Sequence, residues 1–151
     1  MSQAAAISTK QQKDETGAAR VDMKLEVQLL PVSDVDRAKA FYTRLGWRLD
    51  ADVVVGKDFR LVQFTPPGSA SSVSFGKGLT TTAPGSIRGG LIVSDIEAAH
   101  KDLAARGIGA SEVFHGSPFN PVGRISGPDP KRQSYESYVS FEDPDGNMWI
   151  V

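Results

Sequence analysis

The sequence predicts an α+β fold built from two βαβββ modules, with curved sheets around a shared cavity and the helices on the outside. Three observations predict it. The stretch Val32-Ser33-Asp34-Val35-Asp36-Arg37-Ala38 returns 61 positions later as Val93-Ser94-Asp95-Ile96-Glu97-Ala98-Ala99, and an internal repeat is the strongest guide to architecture that a sequence carries. In both copies an apolar run precedes the Ser-Asp pair and an amphipathic run follows it. Each amphipathic run then reaches a glycine, Gly46 or Gly107, at the same offset.

The elements follow in order. Residues 1–22 are rich in Ser, Gln, Ala, Lys and Thr and carry few large apolar side chains, so they read as a flexible tail. Met23 is a candidate natural start. Residues 23–151 form one domain, with module one at 23–79 and module two at 86–151. Lys24 to Val32 alternates enough apolar residues for a strand, with Pro31 near its end. Ser33 or Asp34 caps a helix whose apolar face is Val35, Ala38, Phe41, Tyr42 and Leu45. Gly46 ends it, because glycine accepts a positive φ. Trp47–Val55 and Phe59–Thr65 read as strands around Gly56-Lys57-Asp58. Pro66-Pro67-Gly68-Ser69 is a turn, Ser72–Gly76 a short strand, and Thr80–Ser86 a linker.

The second half repeats the order. Ile87–Val93 is a strand, and Ser94 opens a capping box with Glu97. Ile96, Ala99, Leu103 and Ala104 form the apolar face of the next helix. Ile108–Phe114 is a strand, and His115–Ser134 is a long loop of the kind that serves as a lid or mobile segment. Tyr135–Phe141 and Met148–Val151 are strands around the turn Asp143-Pro144-Asp145-Gly146-Asn147.

Bulk properties remove several function classes. The chain has 151 residues, a formal net charge of -1 from 17 basic and 18 acidic side chains, and no cysteine. The balanced charge argues against a nucleic-acid or anionic-membrane partner. Without cysteine there is no disulfide, thiolate metal site or cysteine nucleophile. No apolar run approaches the roughly 18 residues needed to cross a bilayer, and the N-terminus lacks the apolar core of a secretory signal. A soluble cytoplasmic protein is the expectation.

Val32-Ser33-Asp34, then Ala38, Phe41-Tyr42 and Leu45-Gly46, with Phe141 and Asp143-Pro144-Asp145-Gly146-Asn147 near the C-terminus, resembles the vicinal oxygen chelate superfamily. That group holds glyoxalase I, bleomycin-resistance proteins, fosfomycin-resistance enzymes and extradiol dioxygenases. The resemblance covers about residues 24–151 and concerns the scaffold; shared scaffold does not establish shared chemistry. It implies a small-molecule ligand and a homodimer. It also implies where a divalent metal would be held in the enzymes of the group, by His, Gln and Glu side chains. One such position lies seven residues before the helix-capping Asp in each module, and here holds Val27 and Arg88. Another lies three residues after the Asn of the Asp-Pro-Asp-Gly-Asn turn, and here holds Ile150. The matching end of module one, around Phe75, offers no carboxylate. Valine and isoleucine have no lone pair, and arginine keeps its positive charge, whereas divalent metals take His, carboxylate or carbonyl ligands.

The remaining candidates each carry two readings. His100 lies within the second helix, either as a solvated residue or as a functional one. His115 opens the long loop near the expected cavity mouth, as an acid, base or ligand donor, or as a loop anchor. Arg88 points where a metal ligand would and could pair with an anionic or carbonyl-bearing ligand, or it simply reaches solvent. Strand alternation puts Glu136 and Tyr138 on the cavity side if Phe141 faces the helix; Glu136 is then a possible general base or a solvated edge residue. Arg124, Lys131 and Arg132 read as solvent-facing charges, and Asp143 and Asp145 as turn chemistry.

The expectation is therefore a metal-free small-molecule-binding protein that sequesters a hydrophobic or aromatic ligand. Its ligand-binding residues would be Val27, Leu29, Arg88, His115, Tyr138 and Ile150. The alternative is a glyoxalase-like lyase, isomerase or dioxygenase with an atypical site, its catalytic candidates being His115, Glu136 and Tyr138. No cofactor is expected, with a divalent metal left open.

Overall fold

The computed structural model describes residues 15–151. Most of the tail expected to be flexible, residues 1–14, lies outside the described residues. Module one contains β1 (Val27–Leu29), α1 (Val35–Arg44), β2 (Arg48–Val55), β3 (Phe59–Thr65) and β4 (Ser72–Lys77). Module two contains β5 (Arg88–Gly90), α2 (Ile96–Ala105), β6 (Phe114–Gly116), β7 (Arg124–Ser126), β8 (Ser140–Glu142) and β9 (Met148–Ile150). The sheets run β1-β4-β3-β2, β5-β9-β8 and β6-β7. β1 pairs parallel with β4, and β5 pairs parallel with β9, so each helix is a crossover between parallel strands. The fold is α+β, as the repeat requires. Among the described residues no helix is long and apolar enough to cross a membrane.

Both helices begin on the repeated aspartate. Asp34 accepts from the backbone N–H of Arg37 at 3.0 Å, and Asp95 accepts from those of Glu97 and Ala98 at 3.1 and 3.0 Å. Such a cap is worth about 1 kcal/mol. The cap of α2 is thus Asp95 and not Ser94, whose capping box does not form. Ala38, Phe41, Tyr42 and Leu45 are buried as the helical spacing demanded. On α2 Leu103 is buried, but Ala104 is exposed.

One core joins the modules. Tyr42 packs on Phe64 and Phe75 of its own sheet, with ring centroids 6.1 and 5.6 Å away, and on Trp47 at 5.1 Å. Phe41 reaches Phe141 of module two at 6.2 Å. A buried polar network runs through the same layer. The Tyr42 hydroxyl donates to Asp143 Oδ2 at 2.9 Å and accepts from Trp149 Nε1 at 3.1 Å. Asn147 Nδ2 donates to Asp143 Oδ2 at 2.8 Å and to the Pro31 carbonyl at 2.9 Å. Asp143 Oδ1 meanwhile accepts the backbone N–H groups of Asp145 and Asn147, both at 3.0 Å, which is the expected turn chemistry. Burial first, and then the negative charge of Asp143, push the Tyr42 phenol far above its ordinary pKa.

Several strand boundaries differ from the sequence reading. Ile108–Phe114 is not a strand; only Phe114–Gly116 pairs. The long loop His115–Ser134 is not structureless, because β7 pairs antiparallel with β6 inside it. The strand expected at Tyr135–Phe141 forms only at Ser140–Glu142. Tyr135 holds a φ of +65° that no strand tolerates, and Tyr138 contributes an isolated bridge to Phe114. The first strands of both modules are also shorter than their apolar runs, at three residues each.

Candidate functional site

Register decides which side chains share a face. In module one Val27 pairs with Ser72 and Leu29 with Ser74, then Ser74 with Gln63, Gln63 with Ala51, and Leu61 with Val53. These residues occupy the face turned away from Tyr42 and α1. Val27 and Leu29 are 47% and 37% exposed there, beside Val53 at 47% and Val55 at 62%. Module one thus presents an open sheet face with apolar residues on its outer strands β1 and β2 and the polar Ser72, Ser74 and Gln63 between them.

In module two the same logic sets Arg88 with Met148, and Gly90 with Ile150 and Ser140, on the face opposite Trp149 and Phe141. A cleft of about 960 Å³ opens at this end of the module. One wall is the segment from Gly90 to the first turn of α2, with Leu91, Ile92 and Ile96. The other is the loop carrying Phe119, Tyr135 and Tyr138, and Ile150 and Val151 complete the lining. The ion pair from Arg132 Nη2 to Glu97 Oε1, 3.0 Å long, ties the loop to α2 across this cleft. The Tyr138 hydroxyl donates to the Tyr135 carbonyl and holds that turn. Burial first, and then the charge of Glu136, raise the Tyr138 phenol pKa.

Of the residues expected to line a ligand cavity, Tyr138 and Ile150 meet in this cleft, while Val27 and Leu29 lie on the open face of module one. Arg88 is exposed, and its Nη1 turns back to the carbonyls of Gly85 and Ile87, at 3.3 and 3.2 Å. His115 pairs with Ile125, on the β6-β7 face opposite Phe114 and Arg124, and lines neither the large cleft nor the smaller one near Pro66. Its Nδ1 lies 2.7 Å from the Gly127 carbonyl, an anchoring contact for the loop. Glu136 is exposed and precedes the bridge at Tyr138, so it is not carried into the cleft. His100 lies 3.6 Å from Glu112, away from the cleft. The structure therefore gathers no acid–base pair from His115, Glu136 and Tyr138 at the cleft.

The positions that the fold would use for a divalent metal carry no suitable side chains. Val27, Arg88 and Ile150 supply no donor for a divalent ion, and Phe75 is fully buried in the core. Among the described residues no three His, Cys, Asp or Glu side chains come together. The residues present do not fit the superfamily's metal.

Arg124 is the residue that sequence reasoning missed. It is not a solvent-facing charge. Its guanidinium lies over the Phe114 ring, with Cζ 4.2 Å from the centroid, and donates to Ser140 Oγ at 3.0 Å and the Pro118 carbonyl at 3.2 Å. No local signal marks this inward position: the paired segments Phe114–Gly116 and Arg124–Ser126 are three residues each and carry one large apolar side chain apiece.

Comparison with known proteins agrees with this geometry. The family model for the Glyoxalase/Bleomycin resistance protein/Dioxygenase superfamily matches residues 24–151. No curated protein matches. Among solved structures, a glyoxalase/bleomycin resistance protein from Streptomyces sp. CB03234 is 29% identical, with a TM-score of 0.60, covering 84% of this chain and 97% of its own. TnmS3, an antibiotic binding protein from the same organism, is 28% identical with a TM-score of 0.62, covering 87% and 95%. A superfamily member from Sphaerobacter thermophilus is 27% identical with a TM-score of 0.60, covering 85% and 95%. The match across nearly the whole described chain, on the paired modules that its own repeat predicts, makes this protein a member of the Glyoxalase/Bleomycin resistance protein/Dioxygenase superfamily.

Proposed function

We propose that this chain binds a small hydrophobic or aromatic molecule in the module-two cleft without a metal, and sequesters it rather than transforming it. The observation that carries the reading is the cleft itself. Its volume of about 960 Å³ suits a drug-sized ligand, and Ile92, Ile96, Phe119, Tyr135, Tyr138 and Ile150 give it apolar and aromatic walls. The similarity to TnmS3, described as an antibiotic binding protein, supports the same class of role.

We further propose a cytoplasmic homodimer. The exposed Val27, Leu29, Val53 and Val55 on the open face support pairing, because exposed apolar side chains are favourably covered by a second surface. Light scattering on the purified chain tests it, and a monomer at micromolar concentration refutes it.

The binding reading is tested by metal analysis of the purified protein together with a thermal-shift screen of divalent ions and of small aromatic compounds. It expects substoichiometric metal, no stabilisation by ions, and stabilisation by at least one aromatic compound that is recovered unchanged. Stoichiometric Ni, Zn, Fe or Mn with a raised melting temperature overturns the metal-free reading. Recovery of a chemically altered compound overturns sequestration.

A further inference from the structure

One wall of the cleft is a segment fastened at its two ends. The Gly127 N–H donates to the Val113 carbonyl at 2.9 Å, and Tyr138 exchanges both backbone hydrogen bonds with Phe114, at 2.8 and 2.9 Å. Residues 128–137 therefore leave and rejoin the molecule at neighbouring points, as a compact surface loop does. Inside the loop the Asp129 N–H donates to Ser137 Oγ, and the Arg132 and Gln133 N–H groups donate to the Asp129 carbonyl and Oδ2, all at 2.9 Å. Residues 130–136 are exposed, so core packing does not hold them.

One bond reaches outward. Among the described residues, the hydrogen-bonded ion pair from Arg132 Nη2 to Glu97 Oε1 is the single hydrogen bond that carries residues 129–135 to another part of the chain. Its two partners line the cleft from opposite walls. The same loop holds strain. Arg132 and Tyr135, with φ of +51° and +65°, are the two non-glycine residues in the left-handed region among the described residues. Such backbone persists only where its surroundings enforce it, and Arg132 is at once a strained residue and the tie to α2.

We propose that residues 128–137 form a flap over the module-two cleft, hinged at Val113–Phe114 and latched to α2 by Arg132 and Glu97, and that release of this latch admits and discharges ligand. This rests on the cleft being the binding site, as proposed above. The latch side chains are 60% and 53% exposed, so the pair is weak and sensitive to salt. Entry and exit pass through the same opened state. Loss of the latch therefore speeds both and leaves affinity nearly unchanged.

The test follows entry and release of a neutral fluorescent probe, N-phenylnaphthylamine, by stopped flow on the full chain. Glu97→Gln and Arg132→Gln should each speed both rates by roughly two- to fivefold, the scale of an exposed ion pair, with the dissociation constant within roughly twofold. The double variant should be no faster than either single one. In the wild type added salt speeds both rates. In the variants that acceleration is gone, which separates the latch from any action of salt on the probe. The reversed pair, Glu97→Arg with Arg132→Glu, should recover part of the slow exchange. Arg106→Gln, which breaks an exposed ion pair with Asp102 on the same side of the molecule, should change neither rate. Single variants with the wild-type entry rate, a double variant that multiplies the two accelerations, a reversed pair as fast as the single variants, or a wild type indifferent to salt overturns the latch and leaves the cleft standing. A wild type that binds no probe overturns the cleft reading and this inference together.

Discussion

Replacing Tyr42 with phenylalanine isolates one oxygen atom that joins the two modules. The ring remains, so the contacts with Phe64, Phe75 and Trp47 persist. The lost hydroxyl donates to Asp143 Oδ2 and accepts from Trp149 Nε1. Asp143 Oδ2 keeps its bond from Asn147 Nδ2 at 2.8 Å. Among the described residues Trp149 Nε1 has no second acceptor, and Trp149 is only 5% exposed. A lost hydrogen bond to a charged group and an orphaned buried N–H each cost about 1–3 kcal/mol. Partial relaxation of Asp143 toward Asn147 brings the sum to about 3 kcal/mol. For a chain of this length that is a fall in Tm of roughly 6–12 °C. Urea titration followed by circular dichroism measures it, and the Trp149→Phe single and double variants close a mutant cycle. The pair should couple by at least about 0.5 kcal/mol. A loss below about 0.5 kcal/mol for Tyr42→Phe, or an additive cycle, refutes the network as the link between modules. Because Trp149 is followed directly by Ile150, the same substitution should loosen the lining of the cleft.

Other perturbations test separate parts of the molecule. The Tyr42 pKa is raised in the folded state, so its contribution to stability is present below the ordinary phenol value of about 10 and is lost as pH rises above it. In an alkaline titration the phenolate absorbance of one of the three tyrosines should appear only with unfolding; full ionisation with the circular dichroism intact contradicts this. Asp52 is held below the usual carboxylate range by Arg60 and then Lys39, and Asp50 by Thr65 and then Arg48. Their contributions are present above about pH 4 and fade as pH falls below it, so Arg60→Met should flatten the acid limb of a urea-midpoint profile, and an unchanged limb argues against the pairing. At Gly85 the φ is +82° and an added Cβ would sit 2.1 Å from the Asp145 carbonyl oxygen. Gly85→Ala should cost more than about 1 kcal/mol, while Gly109→Ala, with nothing within 4 Å, should be close to neutral; equal melting temperatures for the two variants refute the difference.

What was legible in the sequence is what local chemistry dictates. The starts of both helices at the Ser-Asp pair, the apolar face of α1 and the bounds of β3 follow from side-chain oxygens, spacing and turn residues within a few positions, although the second helix is capped by Asp95 and not by the Ser94 expected there. What was not legible depends on partners far along the chain. β6 and β7 are three residues each, too short to show a period, so the loop that contains them looked structureless. Alternation put Glu136 and Tyr138 on one face, and Tyr138 lines the cleft although it lies outside any strand. The pattern failed for Glu136, because the positive φ at Tyr135 breaks the strand before Glu136 can take its place in it. Arg124 looked like a surface charge because Phe114, Ser140 and Pro118, which receive its guanidinium, gather around it only in three dimensions. The positions that the resemblance implies for a metal, counted from the repeated aspartates and the 143–147 turn, fall on Val27, Arg88 and Ile150, whose side chains offer no ligand.

The repeat also explains why the large cleft belongs to module two. By its register Ile92 is the counterpart of Pro31, and Ser94 of Ser33. In module one this segment is sealed by the turn at 143–147. Asn147 Nδ2 binds the Pro31 carbonyl at 2.9 Å, and Asp145 Oδ2 accepts the Ser33 backbone N–H at 3.1 Å. The turn placed to seal module two is Pro66-Pro67-Gly68-Ser69, which follows Phe64 as the 143–147 turn follows Phe141. It carries no carboxylate and no side-chain amide, and its two prolines have no N–H to donate. It faces Leu91–Val93 across a gap of about 400 Å³ instead of packing there. Ile92 is left 71% exposed and becomes a wall of the larger cleft. The polar turn that fastens one module is missing from the other, and the apolar segment it would have covered is the surface that a ligand can take.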